Sequence, residues 1–146
     1  MGGASAPRGL SERDRAAIRQ MFAGARRDVE VAVYRRGSIT EAATGFLRAL
    51  ADVQTLSRRI RVSMHEYTDR EQVVERDPGI ALLGGDGTDL RVRFYGWPSG
   101  YEFNAFLTTV ADAVSGEQAQ QLQPETLQAL AGLRNDVQIK VFATPT

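Results

Sequence analysis

The sequence predicts an α/β fold in which a βαβ unit is followed by a β-hairpin and a closing helix. Three observations predict it. Two alternations, Val29-Val31-Val33 and Ile60-Val62-Met64, flank a stripe of Phe46, Leu47, Leu50 and Val53, and period-two patterns mark strands as wider periods mark helices. Two further apolar runs, Ile80–Leu83 and Leu90-Val92-Phe94, bracket the dense turn signal Gly84-Gly85-Asp86-Gly87. The cleanest helical stripe, Phe103, Phe106, Leu107, Val110, Ala111 and Val114, comes after them.

Each element has its own local reason. Residues 1–10 are small and Gly/Ala-rich and are expected to be flexible. Ser11, with Asp14 three residues on, opens a helix carrying Ile18, Met21, Phe22 and Ala25, and Arg26-Arg27 suit its C-terminus. The strand of Val29–Val33 ends at Arg35-Arg36-Gly37. Ser38 and Glu41 then form an S-x-x-E capping box for the second helix. After the strand ending near His65, the charged connection TDREQVVERD is expected to hold a short helix at about residues 69–75. Asp77-Pro78 leads into the hairpin, and Gly96-Trp97-Pro98 breaks its second strand. Ser99 and Glu102 read as another capping box, for the helix of Phe103–Val114. Past Ser115-Gly116 and a polar link, Leu127, Leu130 and Ala131 mark a helix, and Val137, Ile139 and Val141 a strand. Residues 124–142 repeat the helix–turn–strand order of residues 12–34, an internal repeat cut short. The expected organisation is therefore a flexible 1–10, a unit over 11–116 and an incomplete second unit over 117–146. Helices are expected on both faces of the sheet.

Composition narrows the function classes. The 146 residues comprise 42% apolar and 25% charged residues, enough for a sizeable core in one domain or one domain plus part of another. Lys+Arg and Asp+Glu both number 18, so no net charge draws the chain to nucleic acid or anionic membrane. Lys140 is the only lysine, and the Arg26-Arg27, Arg35-Arg36 and Arg58-Arg59 pairs sit at predicted element ends. The absence of cysteine excludes disulfides, thiolate nucleophiles and Cys-ligated metal in this chain, and a single His65 excludes a His-rich metal site. No apolar run reaches the roughly 18 residues of a membrane span. The opening MGGASAPRGL lacks a signal-peptide core, so a cytoplasmic location is expected. The 84–87 glycine turn lacks the Lys and helix of a phosphate loop. Ser38 and Glu41 have no base partner in view, and no cofactor is expected. His65 is read as structural, and Tyr95 and Trp97 as packing residues beside the Pro98 turn.

The run RFYGWPSGYEFNAFL, followed later by DVQIKVFATPT, resembles the two-unit protein disulfide oxidoreductases (glutaredoxin-like proteins). It also resembles the N-terminal domain of the F component of alkyl hydroperoxide reductase. The matching residues are Arg93, Gly96, Pro98, Gly100, Glu102 and Phe103, and the similarity extends over about residues 11–146. The resemblance implies a thioredoxin-like fold (mixed sheet, βαβ plus ββα), followed by the first helix and strand of a second such unit. It implies that Pro78, after Asp77, is the cis-proline of that fold.

The chemistry is where this chain departs from the family. A C-x-x-C pair belongs at the N-terminus of the helix after the first strand, where the helix end stabilises a thiolate. By the capping pattern, the degenerate positions here are Ser38, Ile39, Thr40 and Glu41, and a hydroxyl cannot exchange with disulfides. The first unit is expected to be redox-inactive, a scaffold or docking module. The resemblance places the second unit's C-x-x-C, or a selenocysteine, just after Thr146. Truncation, a premature stop and a UGA codon read as a stop are alternative causes of its absence. Attack of that thiolate or selenolate on a disulfide would be the activity of the longer protein, with protein thiols and disulfides as partners. A strand at 137–143 without same-chain neighbours is expected either to pair with a second copy, giving a homodimer through residues 117–146, or to pack loosely on the first unit.

Overall fold

The computed structural model describes residues 9–70, 73–116 and 122–143. The expected flexible residues 1–8, the link residues 117–121 and the closing Thr144-Pro145-Thr146 lie outside the described residues. Helix α1 (Glu12–Met21) starts with a complete capping box. The Asp14 N–H donates to Ser11 Oγ at 3.1 Å and the Ser11 N–H donates to Asp14 Oδ2 at 3.3 Å. Arg26 and Arg27 lie beyond this helix, and both their N–H groups donate to the Val114 carbonyl, at 2.7 and 2.9 Å.

Strands β1 (Val29–Arg35) and β2 (Ile60–Glu66) run parallel, joined by helix α2 (Glu41–Leu56). Strand β3 (Gly79–Gly84) pairs antiparallel with β1, and β4 (Asp89–Tyr95) antiparallel with β3. The sheet order is β2-β1-β3-β4, which leaves β2 and β4 as edges. A bulge interrupts the hairpin between Leu82 and Leu83, and opposite it Arg91 takes φ +60°. Helix α3 (Tyr101–Ser115) follows the hairpin, and α4 (Pro124–Ala131) follows α3. This is the expected mixed sheet of βαβ plus ββα.

The three long helices share one face of the sheet. Val29, Val31 and Val33 of β1 and Ile80 and Leu82 of β3 form a single core with Ile18 and Phe22 from the α1 end, Phe46, Leu50 and Val53 of α2, and Phe106, Val110 and Val114 of α3. Phe106 is fully buried, with Phe46 and Phe94 ring centroids at 5.4 and 5.2 Å. Asp52 ties α1 to α2: it accepts from the Leu10 N–H at 3.1 Å and pairs with Arg15 at 3.0 Å.

The expectation of helices on both faces fails. Among the described residues, the opposite face is covered only by a loop spanning residues 67–78, which buries Ala32, Tyr34 and Ala81 beneath Val74, Val73 and Tyr67. The short helix expected at about 69–75 is absent from the described part of that span, residues 71–72 lying outside it. The loop instead commits its backbone groups to side chains. The Val73 carbonyl accepts from Arg93 Nε at 2.5 Å, the Glu75 carbonyl from the Tyr67 hydroxyl at 3.3 Å, and the Glu75 N–H donates to the Tyr95 hydroxyl at 3.2 Å. Helical i→i−4 bonding would compete with all three.

The strand expected over 137–143 is also absent: residues 136–143 have no regular secondary structure and make no ladder among the described residues. Val137, Ile139, Val141 and Phe142 are all exposed, as are Leu127, Leu130 and Leu133 around α4. Alternation in the sequence favours a strand but does not supply the neighbour that satisfies its backbone.

Candidate functional site

The expected site lies where β1 ends and α2 begins, and the N-cap there is Thr40, not Ser38. Thr40 is extended (φ −79°, ψ 168°), and its Oγ1 accepts the Ala43 N–H at 3.2 Å. Its carbonyl accepts from the Thr44 N–H and the Thr44 hydroxyl, both at 2.9 Å. Ser38 and Ile39 belong to the preceding loop, with Ile39 exposed, and Glu41 is the first helical residue. Its carboxylate at the first turn suits the positive end of the helix without closing a box. The Ser38–Glu41 capping box is thus corrected by two residues, because two hydroxyl residues compete for one cap and the Glu spacing favoured the wrong one. The geometry that stabilises a thiolate at a helix start belongs here to positions 40 and 43.

The Asp77–Pro78 peptide is cis and lies next to this loop. The Arg36 N–H donates to Asp77 Oδ1 at 3.0 Å, and the β1–β3 register sets Tyr34 against Gly79. The Arg36 guanidinium lies 5.3 Å from the Tyr67 ring centroid and pairs with Asp69 at 2.6 Å, which raises its already high pKa. Arg35 Nη1 donates to the Gly37 carbonyl at 2.6 Å, while its buried Nε has no partner among the described residues.

The run from Arg93 to Phe103 turns the chain from β4 into α3. Arg93 grips Asp89 with two parallel bonds of 2.9 and 2.6 Å, while its Nε holds the covering loop at Val73. That grip lowers the Asp89 pKa and raises that of Arg93. Gly96 takes φ +84°, and its N–H donates to the Pro78 carbonyl at 3.1 Å, so the turn and the proline loop are one unit. Gly100 is the N-cap of α3 with φ +54° and no side-chain cap bond, so the Ser99–Glu102 capping box is not formed. A residue with a Cβ would be strained at both glycines. Pro98 is buried, Glu102 lies in the first turn of α3, and Phe103 packs edge-on to Phe46 at 6.1 Å. Trp97 packs on Phe46 at 5.8 Å.

His65 and Glu30 are held in structural contacts. The His65 ring stacks on Tyr34 at 4.7 Å and lies 2.9 Å from Ser63 Oγ. Glu30 accepts from the Ser63 hydroxyl at 2.5 Å and pairs with Arg61; these two contacts hold its pKa below the usual carboxylate range. An apolar groove of about 540 Å³ runs between α1, the first half of α2 and the start of α3, with Ala42, Gly45, Phe46 and Phe103 in its lining. Among the described residues no group of His, Asp or Glu is arranged to hold a metal, and no helix is long and apolar enough to cross a membrane. The chain has no cysteine, so the site holds no thiol that could exchange with a disulfide.

No family model and no curated protein matches this sequence. Solved structures do match. The alkylhydroperoxide reductase AhpF of Enterococcus faecalis aligns at a TM-score of 0.71 and 22% identity, covering 85% of this chain and 61% of that one. The NTD_N/C domain of the same reductase aligns at 0.68 and 22%, covering 82% and 58%. A protein disulfide oxidoreductase from Aeropyrum pernix aligns at 0.65 and 26%, covering 84% and 55%. This chain therefore spans less than two thirds of each. Its cis-proline loop, glycine turn and β2-β1-β3-β4 sheet make it a thioredoxin-like fold, similar to the NTD_N/C domain of AhpF and to the Aeropyrum disulfide oxidoreductase.

Proposed function

We propose that this chain is a redox-inactive thioredoxin-like unit that serves a thiol–disulfide oxidoreductase system as scaffold and protein-docking module. One observation carries the reading. The helix start that would hold a thiolate holds the Thr40 hydroxyl instead, bonded as a cap to the Ala43 N–H, in a chain without cysteine. Its partners are proteins bearing thiols or disulfides, and its setting is the cytoplasm, where a cysteine-free chain folds without an oxidising environment. The apolar residues of α4 and of 133–142 provide contact surface for such partners, a second copy among them. In an insulin-reduction assay the pure chain is expected to give no turnover above a protein-free blank. Turnover above that blank overturns the proposal.

A second reading couples this unit to a redox pair in the same gene product. It is supported by the lengths of the solved structures, of which the chain covers 55% to 61%. The nucleotide sequence after codon 146 tests it. A reading frame continuing into C-x-x-C, or a UGA in place of its first Cys, supports it; a different stop with no such motif downstream removes it.

A further inference from the structure

β2 and β4 are the outer strands of the sheet, and their free edges differ. The β4 side carries the hairpin bulge and Arg91 at φ +60°, irregularities of the kind that keep an edge from pairing. β2 has no such guard. It pairs with β1 from Val29 against Ile60 to Arg35 against Glu66 without a shift, and it contains neither Pro nor Gly. Arg61, the positive charge within the strand, is turned to Glu30 of β1. We infer that the β2 edge is an interface for a second copy of this chain, the two β2 strands pairing antiparallel about a two-fold axis into one continuous sheet.

The backbone is set for this pairing. The Val29 N–H donates to the Arg59 carbonyl and the Tyr67 N–H to the Arg35 carbonyl, both at 2.8 Å, so the odd-numbered residues along β2 direct their backbone groups to β1. The N–H and C=O of Val62 and Met64 then point outward, with no ladder partner among the described residues. On the helix side of this edge Val62 is half-buried against the core and Met64 is 48% exposed.

Charge selects the direction and the register. Arg58 lies just before β2 and Glu66 ends it; both are exposed, and neither side chain has a partner among the described residues. Parallel pairing would set Arg58 by Arg58 and Glu66 by Glu66. Antiparallel pairing centred on Val62 sets Arg58 of each copy against Glu66 of the other, and on the helix side it brings Ile60 to Met64 and Val62 to Val62. Opposite charges facing across a strand pair stabilise it and like charges destabilise it. Even-numbered residues also meet even-numbered ones in this register, so outward N–H and C=O groups bond reciprocally.

Sedimentation equilibrium of the full chain over a wide concentration range tests the inference. A monomer–dimer equilibrium is expected. Arg58→Glu and Glu66→Arg are each expected to weaken it about tenfold, and the double variant to restore it, because the swap returns opposite charges to facing positions. Met64→Pro removes an outward N–H and no bond to β1, and Pro is tolerated on edge strands; it is expected to give a monomer with an unchanged far-ultraviolet spectrum. If Met64→Pro does not fold, the charge series alone decides. A chain that is monomeric throughout overturns the inference. A dimer that keeps its affinity in folded Met64→Pro overturns it too, because the copies then meet elsewhere. So does a double variant no tighter than the single ones, because Arg58 then does not face Glu66.

Discussion

Placing a cysteine at position 40 tests whether the Thr40 cap is where the helix field acts. The chain has no thiol of its own, so in Thr40→Cys and Ser38→Cys the single thiol is the whole thiolate signal. At position 40 the Sγ replaces an oxygen that already accepts the Ala43 N–H at 3.2 Å. A charge at a helix N-terminus gains about 0.3–1 kcal/mol, and up to about 2 in sheltered geometries. One pKa unit corresponds to about 1.4 kcal/mol. The thiol at 40 should therefore fall from the ordinary value of about 8.5 to roughly 7–8.3. At position 38, in the loop two residues earlier, the sulfur meets no such donor among the described residues. Losing the Thr cap costs about 0.5–2 kcal/mol of stability, which leaves a chain of ordinary stability folded. Thiolate absorbance followed against pH gives both values directly. Equal titrations, or a lower value at 38, would refute the assignment of the helix start to Thr40.

Three further outcomes follow from the packing and the charges. Phe106→Ala, at the meeting of Phe46, Phe94 and Phe103, should cost about 3–5 kcal/mol in urea unfolding, and a loss below about 1.5 would mean the site collapses freely. Arg93→Lys keeps the charge but loses the fork on Asp89 and the reach to Val73; it should cost about 1–2 kcal/mol and hasten proteolysis within 67–78, and wild-type behaviour on both counts would refute the clamp. Asp89 is held low chiefly by Arg93, Asp52 by the Leu10 N–H, and Glu30 by Ser63 and Arg61. Depressed folded-state values mean that their contribution is complete above the ordinary carboxylate range of about 3.9–4.3 and is lost as pH falls through the lower folded values; a urea midpoint unchanged down to strongly acid pH would contradict this.

The sequence was most legible where local pattern and tertiary demand coincide. Val29-Val31-Val33 alternates because one side of β1 meets three helices, and the glycine cluster at 84–87 closes the hairpin because nothing but a turn suits it. It was least legible where two local solutions compete. Ser38 with Glu41 satisfies the capping signature better than Thr40 with Ala43, yet the cap falls on Thr40, two residues later. Residues 69–75 include helix formers, but among the described ones the Val73 and Glu75 carbonyls and the Glu75 N–H are claimed by Arg93, Tyr67 and Tyr95. The role of Arg93 was half visible. The motif singled it out, but its fork on Asp89 is evident only once the bulge brings those side chains together. The tail of 137–143 reads as a strand by alternation alone, and alternation says nothing about which edge it meets.

Among the described residues, the second sheet face is covered by residues 67–70 and 73–78 rather than by a helix. The consequence is a split in cooperativity. Ala32, Tyr34 and Ala81 are shielded by a small apolar cluster with Val74, Val73 and Tyr67, anchored through Arg93, Tyr67 and Tyr95, while the opposite side rests on a larger aromatic and aliphatic core. Segments held this way open at a fraction of the global unfolding free energy. The described part of this cover is therefore expected to open before the helix side does, baring β1 and β3 at the end of the sheet where Pro78 lies.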